Sequence, residues 1–213
     1  MAHRGADTYN EVKGMGRYDD VKQIFESRGG IARTEDMLRE RVHTSYIANL
    51  LSAGHISRIK RGVYEWLDDG PKDDLEIIGR LIPESILCME SALHYHGYTD
   101  RTPGVWHIAV SKNINKKKVK LEYPPIKVHF VAPRLLGVGM CEGIINGVGV
   151  RVYDRERAVC DAIRHAGKMD PEVVNQAIRS YVADPAKNIG RLMEYSRLFR
   201  IQRKAKSLVG VWL

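Results

Sequence analysis

The sequence is poor in the features that mark several large protein classes. It holds only three cysteines, Cys88, Cys141 and Cys160, and no two of them form a CxxC pair. An odd thiol count without that spacing argues against a disulfide framework and a zinc ribbon, and it suits a reducing cytosol. No apolar run approaches the roughly 18–20 residues needed to span a bilayer. The first sixteen residues lack the apolar core of a signal peptide. There is no G-x-x-x-x-G-K-[ST] phosphate loop, no HExxH pair and no G-x-S-x-G around any serine. No internal repeat is visible. The expectation is a cytoplasmic protein with no membrane partner, no metal and no cofactor.

What is present is a globular composition. The 213 residues are 44% apolar, 8% aromatic and 28% charged, with a formal net charge of +8. That length allows one domain or two small ones. The charge is uneven: residues 1–68 carry a net of +1 and residues 69–213 a net of +7. Three clusters hold the basic excess. They are Arg58, Lys60 and Arg61; Lys112, Lys116, Lys117, Lys118 and Lys120; and Arg197, Arg200, Arg203, Lys204 and Lys206. One such cluster reads as a solvated face, but three in one chain favour a nucleic-acid partner.

Residues 1–16 are polar and read as a disordered arm. Val21, Ile24 and Phe25 before Gly29-Gly30 read as a short amphipathic helix with a glycine stop. Thr34 reads as the N-cap of a second helix, with Met37, Leu38 and Val42 on its apolar side. Thr44 or Ser45 caps a third, which buries Ile47, Leu50 and Leu51 and stops at Gly54. Ile56–Lys60 and Val63–Trp66 alternate with period two around Arg61-Gly62, a tight β-hairpin. Three short helices and a basic hairpin over residues 17–68 are the parts of a winged helix-turn-helix DNA-binding domain. If the third helix buries its apolar face, Thr44, Ser45, Tyr46 and Asn49 lie open to read base edges in a major groove. Arg58, Lys60 and Arg61 on the wing then meet the phosphate backbone. A winged helix used only for protein contacts remains the alternative.

Asp68-Asp69-Gly70-Pro71 reads as a linker to a second domain over residues 72–213. This half alternates helices and strands. Leu75–Ile82, Glu90–His96, Asp154–His165, Pro171–Val182 and Asn188–Phe199 read as helices, while Ile86–Cys88, Val105–Val110 and Ile126–Val131 read as strands. Asn146-Gly147 between β-branched runs is the strongest hairpin signal in the chain. Residues 201–213 read as an apolar tail that docks on the core. The fold class is therefore α+β, an N-terminal winged helix followed by a mixed α/β domain.

Enzyme readings have candidates. Glu90, Asp154, Glu156 and Asp161 supply carboxylates that a metal-dependent nuclease would need to converge. Asp154 reads more simply as a helix cap, Glu156 as a first-turn acid, and Asp161 as the ion-pair partner of Arg157 or Arg164. His94 and His96 are two apart on a helix and point to different sides. With His107 and Cys88 they lack metal-ligand spacing. Cys160 sits in an apolar stripe and reads as core.

Three segments resemble a known family: Gly30–Thr34 leading through the third helix to Ile59-Lys60-Arg61-Gly62-Val63-Tyr64; Cys88-Met89-Glu90-Ser91-Ala92-Leu93-His94-Tyr95-His96-Gly97-Tyr98 with Trp106–Val110; and Gly147–Ile163. Together they resemble the AbiEi-type antitoxins of type IV toxin–antitoxin systems, over about residues 17–185. The resemblance implies a non-enzymatic repressor whose winged helix binds inverted repeats upstream of its own operon. It also implies a C-terminal antitoxin domain that counters a nucleotidyltransferase-like toxin, without a stable complex. Members without a toxin are known, so a stand-alone regulator is an alternative. Lys112, Lys116, Lys117, Lys118, Arg200, Arg203 and Lys204 form a possible secondary basic surface for DNA, RNA or an acidic protein.

Overall fold

The structure is a computed structural model that describes residues 17–210. The expected arm over residues 1–16 lies outside them. The chain divides into two compact units. The first is Met1–Asp73 with Leu121–Tyr123, and the second is Asp74–Lys120 with Pro124–Leu213.

The first unit runs α1 (17–26), β1 (Ile31–Arg33), α2 (Thr34–Arg39), α3 (Thr44–Ala53), β2 (Ile56–Lys60) and β3 (Val63–Trp66). Its sheet has the order β1-β3-β2, antiparallel throughout. Val21 and Phe25 of α1, Met37 of α2, Ile47 and Leu50 of α3, and Ile56 and Trp66 of the hairpin are buried together. The apolar spacings of 3 and 4 in the helices and 2 in the hairpin all point into this one cluster. Gly54 closes α3 in the left-handed conformation, and Gly62 turns the hairpin at φ 74°. A side chain is strained at both positions.

Several local expectations need correction. Ile31–Arg33, between the first two helices, is a strand that pairs with Val63–Glu65. The caps fall one residue earlier than the hydroxyls predict, on Arg33 and His43 rather than Thr34 and Thr44 or Ser45. At Arg33 the backbone N–H donates to Asp36 Oδ2 at 2.9 Å, so the acid three residues on does the capping. Leu38 is about half exposed, because the chain turns away at Glu40 and only Met37 of α2 enters the core. The Asp68–Pro71 segment is tied down. Tyr18 donates to Asp68, His55 Nδ1 lies 2.9 Å from Asp68 Oδ2, and Lys22 pairs with Asp69 at 3.1 Å.

The second unit is built on a five-stranded sheet of order β6-β5-β4-β8-β7. Its strands are β4 (Ile86–Leu87), β5 (Trp106–Ser111), β6 (Ile126–Val131), β7 (Met140–Ile145) and β8 (Val148–Tyr153). The sheet is mixed: β5 runs parallel to β6 and β4 parallel to β8, while β4–β5 and β7–β8 are antiparallel. The β7–β8 turn places Asn146 at φ 51° and Gly147 at φ 79°, the two positive φ values of a type I′ hairpin. The helices are α4 (Asp74–Leu81), α5 (Met89–Tyr95), α6 (Pro133–Leu136), α7 (Arg155–His165), α8 (Pro171–Ala183), α9 (Ile189–Leu198) and α10 (Gln202–Gly210). The expected tail is therefore a helix through Gly210, with Val209 fully buried, and Val211–Leu213 lie outside the described residues. Helix α7 is the hub. All residues from Glu156 to Ile163 are buried, as for a helix enclosed on every side.

Candidate nucleic-acid interface

Helix α3 presents one polar face. Ile47 and Leu50 are buried, Leu51 is half-buried against the same core, and Thr44, Ser45, Ala48 and Asn49 are exposed. The α-helical repeat alone puts those exposed residues opposite the core. Tyr46 differs from the other candidates: it is half-buried, packs against the core cluster, and carries the Arg17 guanidinium 5.6 Å from its ring centroid. Burial raises its phenol pKa, so the hydroxyl stays a hydrogen-bond donor.

The start of α3 suits an anion. Its first turn contains no acidic residue, and no side chain caps its free N–H groups. Arg17, Arg41 and His43 are exposed beside it, and Arg17 Nη2 donates to the Arg41 carbonyl at 3.5 Å. A helix N-terminus with free donors and adjacent cations attracts phosphate. Arg17, Arg41 and His43 were not among the candidates read from sequence. The charge of Arg17 was visible, but its position over Tyr46 depends on how α1 packs.

The hairpin places Arg58 and Arg61 in solvent and Lys60 half-buried. Arg58 lies 6.0 Å from the Tyr64 ring centroid, which holds its stem across the strand face. One buried carboxylate braces the hairpin. Glu65 is buried, and its carboxylate accepts from the Lys72 backbone N–H at 2.6 Å and from Ser57 Oγ at 3.3 Å.

In the second unit Lys112, Lys116, Lys117, Lys118 and Lys120 are all exposed. Their segment is ordered by turns: Asn113 N–H donates to Ser111 Oγ and Lys117 N–H to Asn115 Oδ1. Lys116 sits 5.8 Å from the exposed Phe130 ring, and Lys118 pairs with Glu84 at 3.7 Å. Arg200, Arg203 and Lys204 are exposed around the α9–α10 junction.

Asp154, Glu156 and Asp161 are engaged in structural contacts. Asp154 caps α7 by accepting from Arg157 N–H at 2.8 Å, and it also accepts from the Tyr195 hydroxyl at 3.0 Å. Glu156 accepts from Asn188 N–H at 2.8 Å and from the Tyr181 hydroxyl at 3.3 Å. Asp161 pairs with Arg157, not Arg164. Glu90 lies in the first turn of α5. Among the described residues no group of three or more His, Cys, Asp or Glu could hold a metal ion. His96 Nε2 lies 2.8 Å from the Tyr153 carbonyl oxygen. Burial pushes the Cys88 thiol well up and the Cys160 thiol to about 12, so neither is poised as a nucleophile. No described helix is long and apolar enough to cross a membrane.

Residues 19–65, from α1 into β3, match the family model described as transcriptional regulator, AbiEi antitoxin. The crystal structure of the RV2827C protein from Mycobacterium tuberculosis is similar in fold, with a TM-score of 0.61 at 15% identity, covering 89% of this chain and 79% of that one. No curated protein matches the chain.

Proposed function

We propose, from the match of residues 19–65 to the family model described as transcriptional regulator, AbiEi antitoxin, that the protein is a DNA-binding autorepressor whose first unit acts as a winged helix-turn-helix. In this reading α2 and α3 are the helix-turn-helix and β2–β3 is the wing. Thr44, Ser45 and Asn49 read base edges in the major groove, and Tyr46 braces the helix start beside Arg17. Arg58, Lys60 and Arg61 hold the adjacent phosphates, and the open N-terminus of α3 takes another.

The observation that carries the proposal is the pairing of the family domain with an α3 whose solvent face is polar, free of acid in its first turn and flanked by arginines. The inverted repeats upstream of the operon are the proposed target. The second unit is proposed to counter a nucleotidyltransferase-like toxin without a stable complex, a role resting on the family description and on the likeness of residues 88–110 and 147–163.

The test is fluorescence anisotropy on duplex DNA from upstream of the gene, with an unrelated duplex of equal length as control and salt as the variable. Tighter binding to the upstream duplex that weakens with salt is expected. Equal weak binding to both duplexes removes the repressor reading.

A further inference from the structure

Between Thr102 and Met140 the sequence holds one acidic residue, Glu122, against six lysines and one arginine. Five of those lysines crowd the segment that leaves β5, and the sheet sets that segment against β6. The two strands pair in parallel up to Ser111 and Val131. Lys112 N–H then donates to the Val131 carbonyl at 2.9 Å, so the lysine segment starts beside the residue that follows Phe130. Local bonds order it: Ile114 N–H donates to the Ser111 carbonyl at 3.0 Å, and Lys118 N–H to the Asn115 carbonyl at 2.9 Å.

Strand β6 is an outer strand of the sheet, and Phe130 on it is 47% exposed. An exposed apolar side chain alone means little. The charge around this one gives it meaning. The Lys116 ammonium lies 5.8 Å from the Phe130 ring centroid. Lys112, Lys116 and Lys117 are exposed, and none has an ion-pair partner among the described residues. Cations that no carboxylate offsets attract a polyanion. A solvent-facing aromatic ring among them adds a flat apolar surface that charge alone does not need.

Phosphates and flat rings occur together in one polymer whose rings are free to stack. We propose that this part of the second unit binds single-stranded nucleic acid, with a base stacked on Phe130 and neighbouring phosphates met by Lys112, Lys116 and Lys117. A duplex would satisfy the lysines, but its bases are already stacked on one another and leave the ring without a partner. An acidic protein would supply charge without a ring at every repeat. All four residues belong to the second unit, and the site uses none of the α3 or wing residues.

The test is fluorescence anisotropy of the full chain with labelled oligothymidylate and oligouridylate, and with oligoglutamate of the same charge. Phe130→Ala should weaken strand binding about fivefold or more, the effect of losing one stacked base, and Phe130→Trp should restore it. Replacing Lys112, Lys116 and Lys117 together by glutamine should flatten the salt slope by up to about 2, at about 0.7 per phosphate of a single strand. Oligoglutamate should bind at least about tenfold more weakly than the strands. Binding of either strand that depends on the Phe130 ring upholds the site, and the tighter strand tells DNA from RNA. A Phe130→Ala variant as tight as the parent, or a Phe130→Trp variant as weak as the alanine one, overturns the proposal. So does oligoglutamate binding as tightly as the strands, an unchanged salt slope, or no binding of either strand.

Discussion

Arg157 and Asp161, one turn apart on α7, form an ion pair of 3.0 Å in which the side chains are only 1% and 8% exposed. The guanidinium lies between two rings, 4.0 Å from the Tyr153 centroid and 4.3 Å from that of Phe199. Its Nη1 also donates to the carbonyls of Leu135 and Val138, both at 2.9 Å. One side chain thus ties the hub helix to the 135–138 segment, to the end of β8 and to the residue that closes α9. Desolvating an arginine costs several kcal/mol, and this set of partners is what offsets it.

Losing one partner of this pair should therefore hurt more than losing both. Arg157→Met leaves the Asp161 carboxylate and two carbonyls without their donor, and a loss of about 3–5 kcal/mol is expected. The double variant Arg157→Met with Asp161→Leu should recover a large part of it. Urea titrations of the two variants and the parent decide. A double variant no more stable than the single one would show that the charge pairing matters little.

Gly139 supports the same helix from outside. It has φ 76°, and a Cβ built on it would lie 2.7 Å from the Arg157 Cβ and 3.0 Å from Asp154 Oδ1. Its carbonyl accepts from Asp154 N–H at 2.6 Å. Gly139→Ala combines a left-handed backbone with a clash against an atom that cannot swing away. It should cost at least about 1–3 kcal/mol. Gly149→Ala meets nothing within 4 Å and serves as the control in the same melts. Equal melting temperatures for the two variants would contradict the packing argument.

The parts of the fold that were legible in sequence are those set by local chemistry. Asn146-Gly147 announces its hairpin because few other residues adopt two positive φ values in succession. Asp154 announces the start of α7 because its side chain satisfies a backbone N–H three residues on. The exposed face of α3 follows from the helical repeat. What stayed hidden depends on distant partners. Ile31–Arg33 is a strand only because Val63–Glu65 lies alongside it. Leu121–Tyr123 belongs to the first unit through the Ile59 carbonyl, which accepts from Glu122 N–H at 2.8 Å. Arg17 reaches Tyr46 across 29 positions of sequence. The α10 segment hides its apolar face, Ala205 and Val209, among five basic and polar neighbours.

His107 and His129 make the second unit acid-sensitive. Their ring centroids are 5.2 Å apart on neighbouring strands. Burial, with the Lys127 charge added, holds His107 at about 4; burial and the nearby His107, His165 and Lys127 charges hold His129 at about 4. An unfolded histidine titrates near 6.5. As pH falls the unfolded chain takes up these protons first, so stability is full above about pH 6.5 and is lost progressively down to about pH 4. The loss for the pair is of the order of a few kcal/mol, since the charge on one histidine opposes protonation of the other. His129→Phe should retain more of its neutral-pH stability at pH 4.5 than the parent does. Parallel urea midpoints at pH 7.5 and 4.5 test this, and an identical drop for both proteins would discard the histidine explanation.

The proposed DNA interface separates into contacts that carry sequence information and contacts that carry charge, and two variants should separate them. Replacing Arg58, Lys60 and Arg61 together by alanine removes cations from the wing and leaves α3 untouched. If each meets one phosphate, the slope of log affinity against log salt should become shallower by up to about 2.7, at about 0.9 per phosphate. The preference for upstream DNA over an unrelated duplex should change little, because phosphates are the same in both. Asn49→Ala does the opposite. It removes an amide able to bond an adenine edge, so discrimination should shrink by about 1–3 kcal/mol with the salt slope kept. Both residue sets are exposed or half-exposed, so neither change should disturb folding. A triple variant that keeps the full slope would take the wing off the DNA, and an Asn49 variant with intact discrimination would move base reading to another part of α3.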